Sequence, residues 1–411
     1  MLSVTFVSNY INHHQLPFCR AMDNSPEVTF HFIQTMPMEQ KRIEMGWGVD
    51  PKEYSFVELY YEKEEECKKL ILESDVTIFG WSEGLIADVE EKRLSSGKLS
   101  FRMSERIYRE GQWKFLSPRG LMSKYHEHIR FRKYPVFLLC TGAYVASDFS
   151  LIHSYPDKKL KWGYFPGASR NAVTKDSGKD LSQGTGEEKN SSGSGKIKLC
   201  WAGRLIELKH PEFAIEAAHV LKTKGYDFSL EIIGDGPLRE SLDKLVADYG
   251  LFDEVRLLGN LKPSAVLDKM DEADVFLFTS NYLEGWGAVV NEAMQSGCAV
   301  VASYEAGAVP FLIEDGVNGI CYKNGDAGEF ISKVTYLFEN SDLIPKIGER
   351  GRRTIADKWN AQNAAAEFVR FCREYLENGA VVPAENGPMS IADVYRPAGF
   401  VRTLQEKNRL E

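Results

Sequence analysis

The sequence has no Cys-x-x-Cys pair and no cluster of histidines, although it holds seven cysteines (Cys19, Cys67, Cys140, Cys200, Cys298, Cys321 and Cys372) among 411 residues. Without paired ligand spacings there is neither a zinc framework nor a disulfide lattice, and thiols inside apolar text, such as Cys140 in Val-Phe-Leu-Leu-Cys, read as buried and reduced. No apolar run reaches the ~20 residues that span a bilayer. The opening Met-Leu-Ser-Val-Thr-Phe-Val-Ser-Asn has no basic n-region and no apolar h-region, so it reads as a first β-strand of a cytoplasmic chain, and any membrane contact is expected to be peripheral. Basic residues are also short: 50 Lys and Arg stand against 59 Asp and Glu, a formal charge of −9. Phosphate neutralisation needs a cationic surplus, so a general nucleic-acid binder is excluded.

What is present is ordinary globular composition, 43% hydrophobic and 27% charged, at a length that implies two or three domains. One segment stands apart. Thr174 to Gly195, TKDSGKDLSQGTGEEKNSSGSG, is almost free of apolar side chains and reads as a flexible linker or exposed loop. After it, short apolar runs at Ile197–Ala202, Phe228–Ile233, Val255–Leu258, Val275–Thr279, Ala299–Ala302 and Ile320–Tyr322 alternate with three-to-four-residue helical periodicity. That pattern predicts a doubly wound parallel sheet whose ligand lies beyond the carboxyl ends of the strands. Before the linker the alternation is looser, with candidate strands at Val4–Val7, Val28–Ile33, Phe56–Leu59, Val76–Phe79, Val136–Leu139 and Leu160–Phe165. The expected division is a first α/β domain over 1–170, a linker over 171–195, a second domain over 196–358, and a final helix and tail over 359–411. The helix is expected to pack back on the first domain, and the Gly/Pro-broken end from Gly379 reads as partly disordered.

The chemistry concentrates in the second domain. In Thr279-Ser-Asn-Tyr-Leu-Glu284-Gly-Trp-Gly-Ala-Val-Val-Asn-Glu292, a strand end gives way to a glycine loop and then a helix. Gly285 and Gly287 let backbone approach a ligand, and a new helix offers unpaired amides to an anion. Glu284 lies at the mouth of the loop, and Glu292 lies early in the helix, placed to accept from a diol. The alternative is that both are solvated carboxylates. In Gly203-Arg204-Leu-Ile-Glu-Leu-Lys209, Arg204 and Lys209 follow the domain's first strand, where a planar fork and a point charge suit diphosphate oxygens. Gly234-Asp235-Gly-Pro and Gly-Asn260-Leu261 end the next two strands with open backbone suited to a flat base.

Taken in order, Gly-Arg-Leu-x3-Lys, Ile-Gly-Asp-Gly-Pro, Asn-Leu, Ala-Asp-Val-Phe-Leu-Phe-Thr-Ser, Glu-Gly-Trp-Gly, Asn-Glu-Ala-Met and Ser-Gly-Cys-Ala-Val-Val-Ala-Ser resemble the retaining glycosyltransferases of family 4. The resemblance is strong from about Lys198 to Lys358 and weak before it. It implies the α/β GT-B fold, two facing Rossmann-like doubly wound parallel-sheet domains with a cleft between them. The first would bind the acceptor, the second a nucleotide sugar in UDP or GDP form, with no cofactor. Arg204 and Lys209 would hold the donor diphosphate; Glu284, with Gly285, Trp286, Gly287 and Ala288, the transferred sugar; Glu292 the ribose; and Gly234, Asp235, Asn260 and Leu261 the base. Transfer would pass through an oxocarbenium-like state with attack on the leaving-group face, stabilised by preorganised positive charge. The Asp-x-Asp signature of metal-dependent glycosyltransferases of the other main fold is absent, so metal-independent transfer is expected.

Two departures matter. Where relatives often carry Gly-Gly after the first strand, this chain reads Asn9-Tyr-Ile-Asn-His13-His14-Gln-Leu-Pro17, so His13 or His14 would supply a proton or a hydrogen bond, unless both cap the next helix or face solvent. After Pro310 stands Phe311, not the frequent Glu. Charge is also uneven. Residues 92–133 hold twelve Lys or Arg (Lys92, Arg93, Lys98, Arg102, Arg106, Arg109, Lys114, Arg119, Lys124, Arg130, Arg132, Lys133) against three Glu, with interleaved aromatics. A basic helical region of that kind suits anionic headgroups, a phosphate-bearing acceptor, or solvent alone. The functional expectation is a cytoplasmic transferase that extends a glycan or lipid-linked acceptor in cell-surface polysaccharide synthesis. A nucleotide-sugar epimerase or sugar phosphorylase of the same fold, or a non-catalytic sugar-nucleotide binder, remains open.

Overall fold

The computed structural model describes residues 1–40, 48–82, 84–166, 195–323 and 325–395; apart from Gly195, the expected linker lies outside them. The chain divides into two compact units, Met1–Gly167 with Lys358–Glu411, and Ala168–Asp357.

In the first unit, β1 (Leu2–Ser8), β2 (Val28–Gln34), β3 (Val57–Leu59), β4 (Val76–Phe79), β5 (Ser100–Ser104), β6 (Val136–Thr141) and β7 (Lys159–Trp162) form one sheet in the order β3-β2-β1-β4-β5-β6-β7. All neighbours run parallel, with Val4 opposite both Phe30 and Val76. Helices α1 (Leu16–Asp23), α2 (Glu64–Glu73), α3 (Ala87–Leu94), α4 (Pro118–Glu127) and α5 (Val145–Leu151) connect them. β5 falls inside the stretch whose basic residues read as helical, and the reading is corrected there: Ser100 and Phe101 are buried in the sheet. Arg102 interrupts the apolar text, but its guanidinium is held by Glu90 at 2.6 Å, so a charged strand residue is tolerated.

The second unit carries β8 (Ile197–Ala202), β9 (Phe228–Ile233), β10 (Val255–Gly259), β11 (Val275–Phe278), β12 (Ala299–Ser303) and β13 (Ile320–Tyr322), ordered β10-β9-β8-β11-β12-β13 and parallel throughout. Between and after them run α6 (Glu212–Thr223), α7 (Arg239–Asp248), α8 (Pro263–Glu272), α9 (Val289–Gln295), α10 (Val309–Leu312), α11 (Ala327–Glu339) and α12 (Leu343–Asp357). Strands β11 and β12 are buried at every position, as strands covered on both faces must be. Each sheet reverses its strand order once, between β1 and β4 and between β8 and β11. Such switch points leave a crevice at the carboxyl ends.

The last helix, α13 (Ala361–Asn378), starts at Asn360, whose side chain accepts from the Asn363 N–H, and stops at Gly379 with φ +69°, the left-handed ending that favours glycine. Its buried stripe of Ala361, Ala364, Ala365, Phe368, Phe371 and Cys372 belongs to the first unit, where the Phe368 ring lies 4.9 Å from Phe101 and 6.2 Å from Phe18. Beyond it, the tail is ordered as far as residue 395, and the rest of the segment expected to be partly disordered, 396–411, lies outside the described residues. Lys161 N–H donates to Ser390 O at 2.7 Å, and the N–H groups of Met389 and Ala392 donate to Lys161 O and Lys159 O, each at 3.0 Å. This covers the edge of β7, whose open amides would otherwise be a pairing hazard.

Candidate active site

The site in the second unit starts from two glycines. Gly234 follows β9 with φ +132°, and a Cβ there would lie 1.9 Å from the Gly203 carbonyl oxygen. Only glycine allows that approach. Gly203 N–H donates to Ile233 O at 3.0 Å, Leu205 N–H to Asp235 O at 3.0 Å, and Gly234 N–H to Gly259 O at 2.8 Å. The loops after β8, β9 and β10 are thus knitted together, which brings Asp235 and Asn260–Leu261 to one side of the loop carrying Arg204. Arg204 is exposed and forms no ion pair among the described residues.

The chain then makes a 3-10 turn at Glu207–Lys209 and passes through His210 with φ +44°. Thr279, at the end of β11, fastens this turn: its hydroxyl accepts from Trp201 Nε1 at 2.8 Å and donates to Lys209 O at 2.6 Å. Asn281 N–H adds a bond to Leu208 O at 2.8 Å. These contacts aim Lys209 across the switch point, and its Nζ forms an ion pair with Glu284 Oε2 in which both side chains are 15% exposed. Glu284 is set by an Asn281-centred turn, with Leu283 N–H donating to Asn281 Oδ1 at 3.0 Å and Glu284 N–H to Asn281 O at 2.9 Å. Thr279 and Asn281 were not among the expected site residues. The signal was available in Trp201, an indole N–H in a buried strand that must find an acceptor.

The glycine loop is stitched on its far side. Gly307 N–H donates to Gly285 O at 3.1 Å and Ala308 N–H to Trp286 O at 2.9 Å, while the buried Trp286 indole donates to Asn291 Oδ1 at 2.7 Å. Gly287 has φ +90°, and a Cβ there would lie 2.7 Å from the Phe278 ring. Ala288 precedes α9, which has only seven residues. Glu292, in its first turn, is half-buried, and its carboxylate accepts no hydrogen bond among the described residues. Burial without a partner pushes its acid up to about 7.

His13 and His14 belong to the other unit, in the loop between β1 and α1. Asn12 Oδ1 accepts from the N–H groups of His14 and Gln15 at 3.0 and 3.2 Å. The two rings lie 3.8 Å apart, and His14 lies 5.5 Å from the Tyr164 ring. Burial lowers both acids, with the neighbouring His13 adding to the effect at His14, which falls to about 3. Both rings are therefore neutral near pH 7 and weak as bases, suited to hydrogen bonding, not to donating a proton as imidazolium.

The basic stretch at 92–133 is less cationic than its text. Arg93 is fully buried and donates to Asp75 O at 3.0 Å and Leu99 O at 2.8 Å. Lys98 donates to Leu72 O at 2.9 Å and Glu73 O at 3.0 Å. Arg106 pairs with buried Asp148 at 3.2 Å, Arg130 with Glu91 at 2.6 Å and Lys124 with Glu127 at 2.6 Å, while Arg109 pairs with Glu105 and Lys114 with Glu110. Exposed Lys92, Arg119, Arg132 and Lys133 have no ion pair among the described residues. Around Arg119, α4 buries no residue at all, and Leu116, Met122 and Tyr125 are 67%, 61% and 49% exposed.

Two parallel α/β units, each with a single switch point, define the GT-B class, and comparison with solved structures agrees. HepE of Anabaena, solved in complex with UDP, superposes with a TM-score of 0.64 at 14% identity over 90% of this chain and all of that one. Residues 183–354 match the family model of the glycosyl transferases group 1. The resemblance drawn from the motifs holds, and the second unit is a group 1 glycosyltransferase domain. Similar curated proteins include the amylovoran biosynthesis glycosyltransferase AmsK of Erwinia amylovora, 34% identical over 37% of this chain and 38% of that protein. The putative colanic acid biosynthesis glycosyltransferase WcaL of Salmonella typhimurium is 32% identical over 40% of this chain and 42% of its own. The chain thus matches less than half the length of these relatives. No helix among the described residues is long and apolar enough to cross a membrane.

Proposed function

We propose that the protein transfers a sugar, with retention of anomeric configuration and without a metal, from a UDP- or GDP-sugar to a glycan or lipid-linked acceptor in cell-surface polysaccharide synthesis. The observation that carries this reading is the pairing of Lys209 with Glu284 across the β8/β11 switch point, beside Arg204, which is exposed and forms no ion pair among the described residues. The two cations face growing negative charge as the C1–O bond to the diphosphate breaks. The acceptor hydroxyl attacks C1 on the same face and passes its proton to the departing phosphate oxygen. Glu284 and the glycine loop position the transferred sugar, and Glu292 accepts from the ribose hydroxyls. The names of AmsK and WcaL support polysaccharide synthesis, and the UDP bound by HepE supports a nucleotide donor. The exposed apolar side chains of α4 beside Arg119 support peripheral contact with an anionic membrane on the cytoplasmic side.

The test is a panel of UDP- and GDP-sugars, read by thermal shift and slow hydrolysis. One donor should stabilise the protein and be cleaved, and Arg204→Ala should weaken the nucleoside diphosphate more than the free nucleoside. Equal weakening would remove the phosphate assignment, and binding without turnover under any acceptor would favour a non-catalytic binder.

A further inference from the structure

The first unit has a switch point of its own, between β1 and β4, and the residue that β4 delivers there is Trp81. Its backbone is fixed closely. Gly80 N–H donates to Val7 O at 2.8 Å, and the Ser8 hydroxyl donates to Trp81 O at 3.4 Å while accepting from Gln15 Nε2 at 3.3 Å. A Cβ on Gly80 would lie 3.1 Å from both the Phe6 ring and Ser8 Oγ, so this corner is packed against β1 and cannot drift.

The side chain behaves differently from its backbone. The indole of Trp81 is 56% exposed, whereas Trp162, Trp201, Trp286 and Trp359 are 3% exposed or less. Among the described residues it has no ring or hydrogen-bonding partner. Leu85, four residues on, is also 56% exposed. An exposed indole on a fixed backbone at the carboxyl edge of a parallel sheet contributes little to the core, and it presents a flat apolar face with a polar N–H at its rim. A carboxylate follows the adjacent strand: Glu105, just past β5, accepts from the Tyr164 hydroxyl at 3.3 Å and pairs with Arg109.

A pyranose has that complementary chemistry, with an apolar face of C–H bonds and a rim of hydroxyls. We propose that Trp81 is the stacking platform for a sugar ring of the acceptor, with its indole covering the C–H face and Glu105 accepting from a hydroxyl at the rim. The proposal rests on the transferase reading for calling that sugar the acceptor, but binding at Trp81 is measurable without it.

The experiment is saturation-transfer NMR on the full chain with methyl hexopyranosides, maltose and cellobiose, using UDP and GDP as probes of the other unit. Ring protons of at least one saccharide should receive saturation. Trp81→Ala should weaken that signal about tenfold, as loss of one aromatic face does, Trp81→Phe should largely retain it, and nucleotide signals should not change in either variant. A saccharide signal that survives Trp81→Ala, or no saccharide signal in the native chain, overturns the platform. Absence of both nucleotide signals while the saccharide signal stands would instead sink the donor-site reading and leave the platform intact.

Discussion

Lys209 and Glu284 neutralise one another across 75 residues of sequence, one from the turn after β8 and the other from the loop after β11. The carboxylate engages the same cation to which the proposed reading assigns the donor diphosphate. On that reading, donor binding competes with this internal salt bridge, and the two partners should respond to substitution in opposite ways.

Glu284→Gln releases Lys209 and removes a negative charge from the site. Affinity for a nucleoside diphosphate should be equal to or up to about tenfold tighter than in the native protein, while turnover falls by about 10² or more because the transferred sugar loses its anchor. Lys209→Ala should lower both. Calorimetry with UDP or GDP beside a turnover assay separates the cases, and parallel loss of nucleotide affinity in both variants would refute the competition.

Gly234 tests the knitting of the loops. A Cβ there would lie 1.9 Å from the Gly203 oxygen, a backbone atom that cannot step aside without moving β8. Gly225 has φ +78° but nothing within 4 Å of its added Cβ. Gly225→Ala should cost about 1 kcal/mol, for backbone strain alone, and Gly234→Ala more than about 3 kcal/mol. Denaturant unfolding of the two variants measures the difference; similar losses would show that the loops adjust freely.

The contrast between these loops and the strands beneath them explains how much was legible in the text. Val275–Phe278 and Ala299–Ser303 are buried on both faces, so continuous apolar runs announced them, and all six strands of the second unit were readable. β5 was not, because Arg102 breaks its pattern and its compensating partner, Glu90, lies on α3. The tail from Gly379 showed the same limit, since its hydrogen bonds are to the edge of β7 and a backbone ladder has no side-chain signature. In the site, the types and order of Arg204, Lys209, Glu284 and Glu292 were readable. That Lys209 would meet Glu284, or that Thr279 would fasten the turn between them, depends on the parallel pairing of β8 with β11. Of the twelve cations at 92–133, text could not distinguish buried Arg93 from exposed Arg119.

Glu292 should give the protein a pH dependence of known sign. Its acid stands at about 7 in the folded chain against 4.5 ordinarily, so between those values the folded state binds more protons than the unfolded. This group's contribution to stability is therefore full below about 4.5 and is lost as pH rises through about 7. A ligand whose hydroxyls donate to the carboxylate favours the ionised form, so nucleotide affinity should rise from about pH 6 to 8 while the free protein's stability declines. Glu292→Gln should flatten both profiles. Thermal unfolding and calorimetry across this range check it; an affinity that is flat in the native protein would remove Glu292 from the nucleotide contacts.

The exposed face of α4 calls for an explanation that its own packing does not supply, since none of its residues is buried. Leu121 and Met122 stand beside Arg119, and Arg132 and Lys133 follow the helix; none of the three cations forms an ion pair among the described residues. Burial of a Leu or Met side chain in an interface is worth roughly 1.5–3 kcal/mol, and each nearby cation adds about 1 kcal/mol at an anionic surface. Replacing Leu121 and Met122 together with Glu should therefore reduce co-sedimentation with phosphatidylglycerol vesicles by about a hundredfold or more, and Arg119→Gln by about fivefold. Added salt should weaken the second contribution more than the first, because screening acts on charge and not on apolar burial. Hydrolysis of the nucleotide sugar, which the proposed reading assigns to Arg204, Lys209 and Glu284 and not to α4, should be unchanged in both variants. Equal sedimentation of native and Leu121/Met122 variant protein would leave α4 a solvated helix and return the membrane question to the rest of the surface.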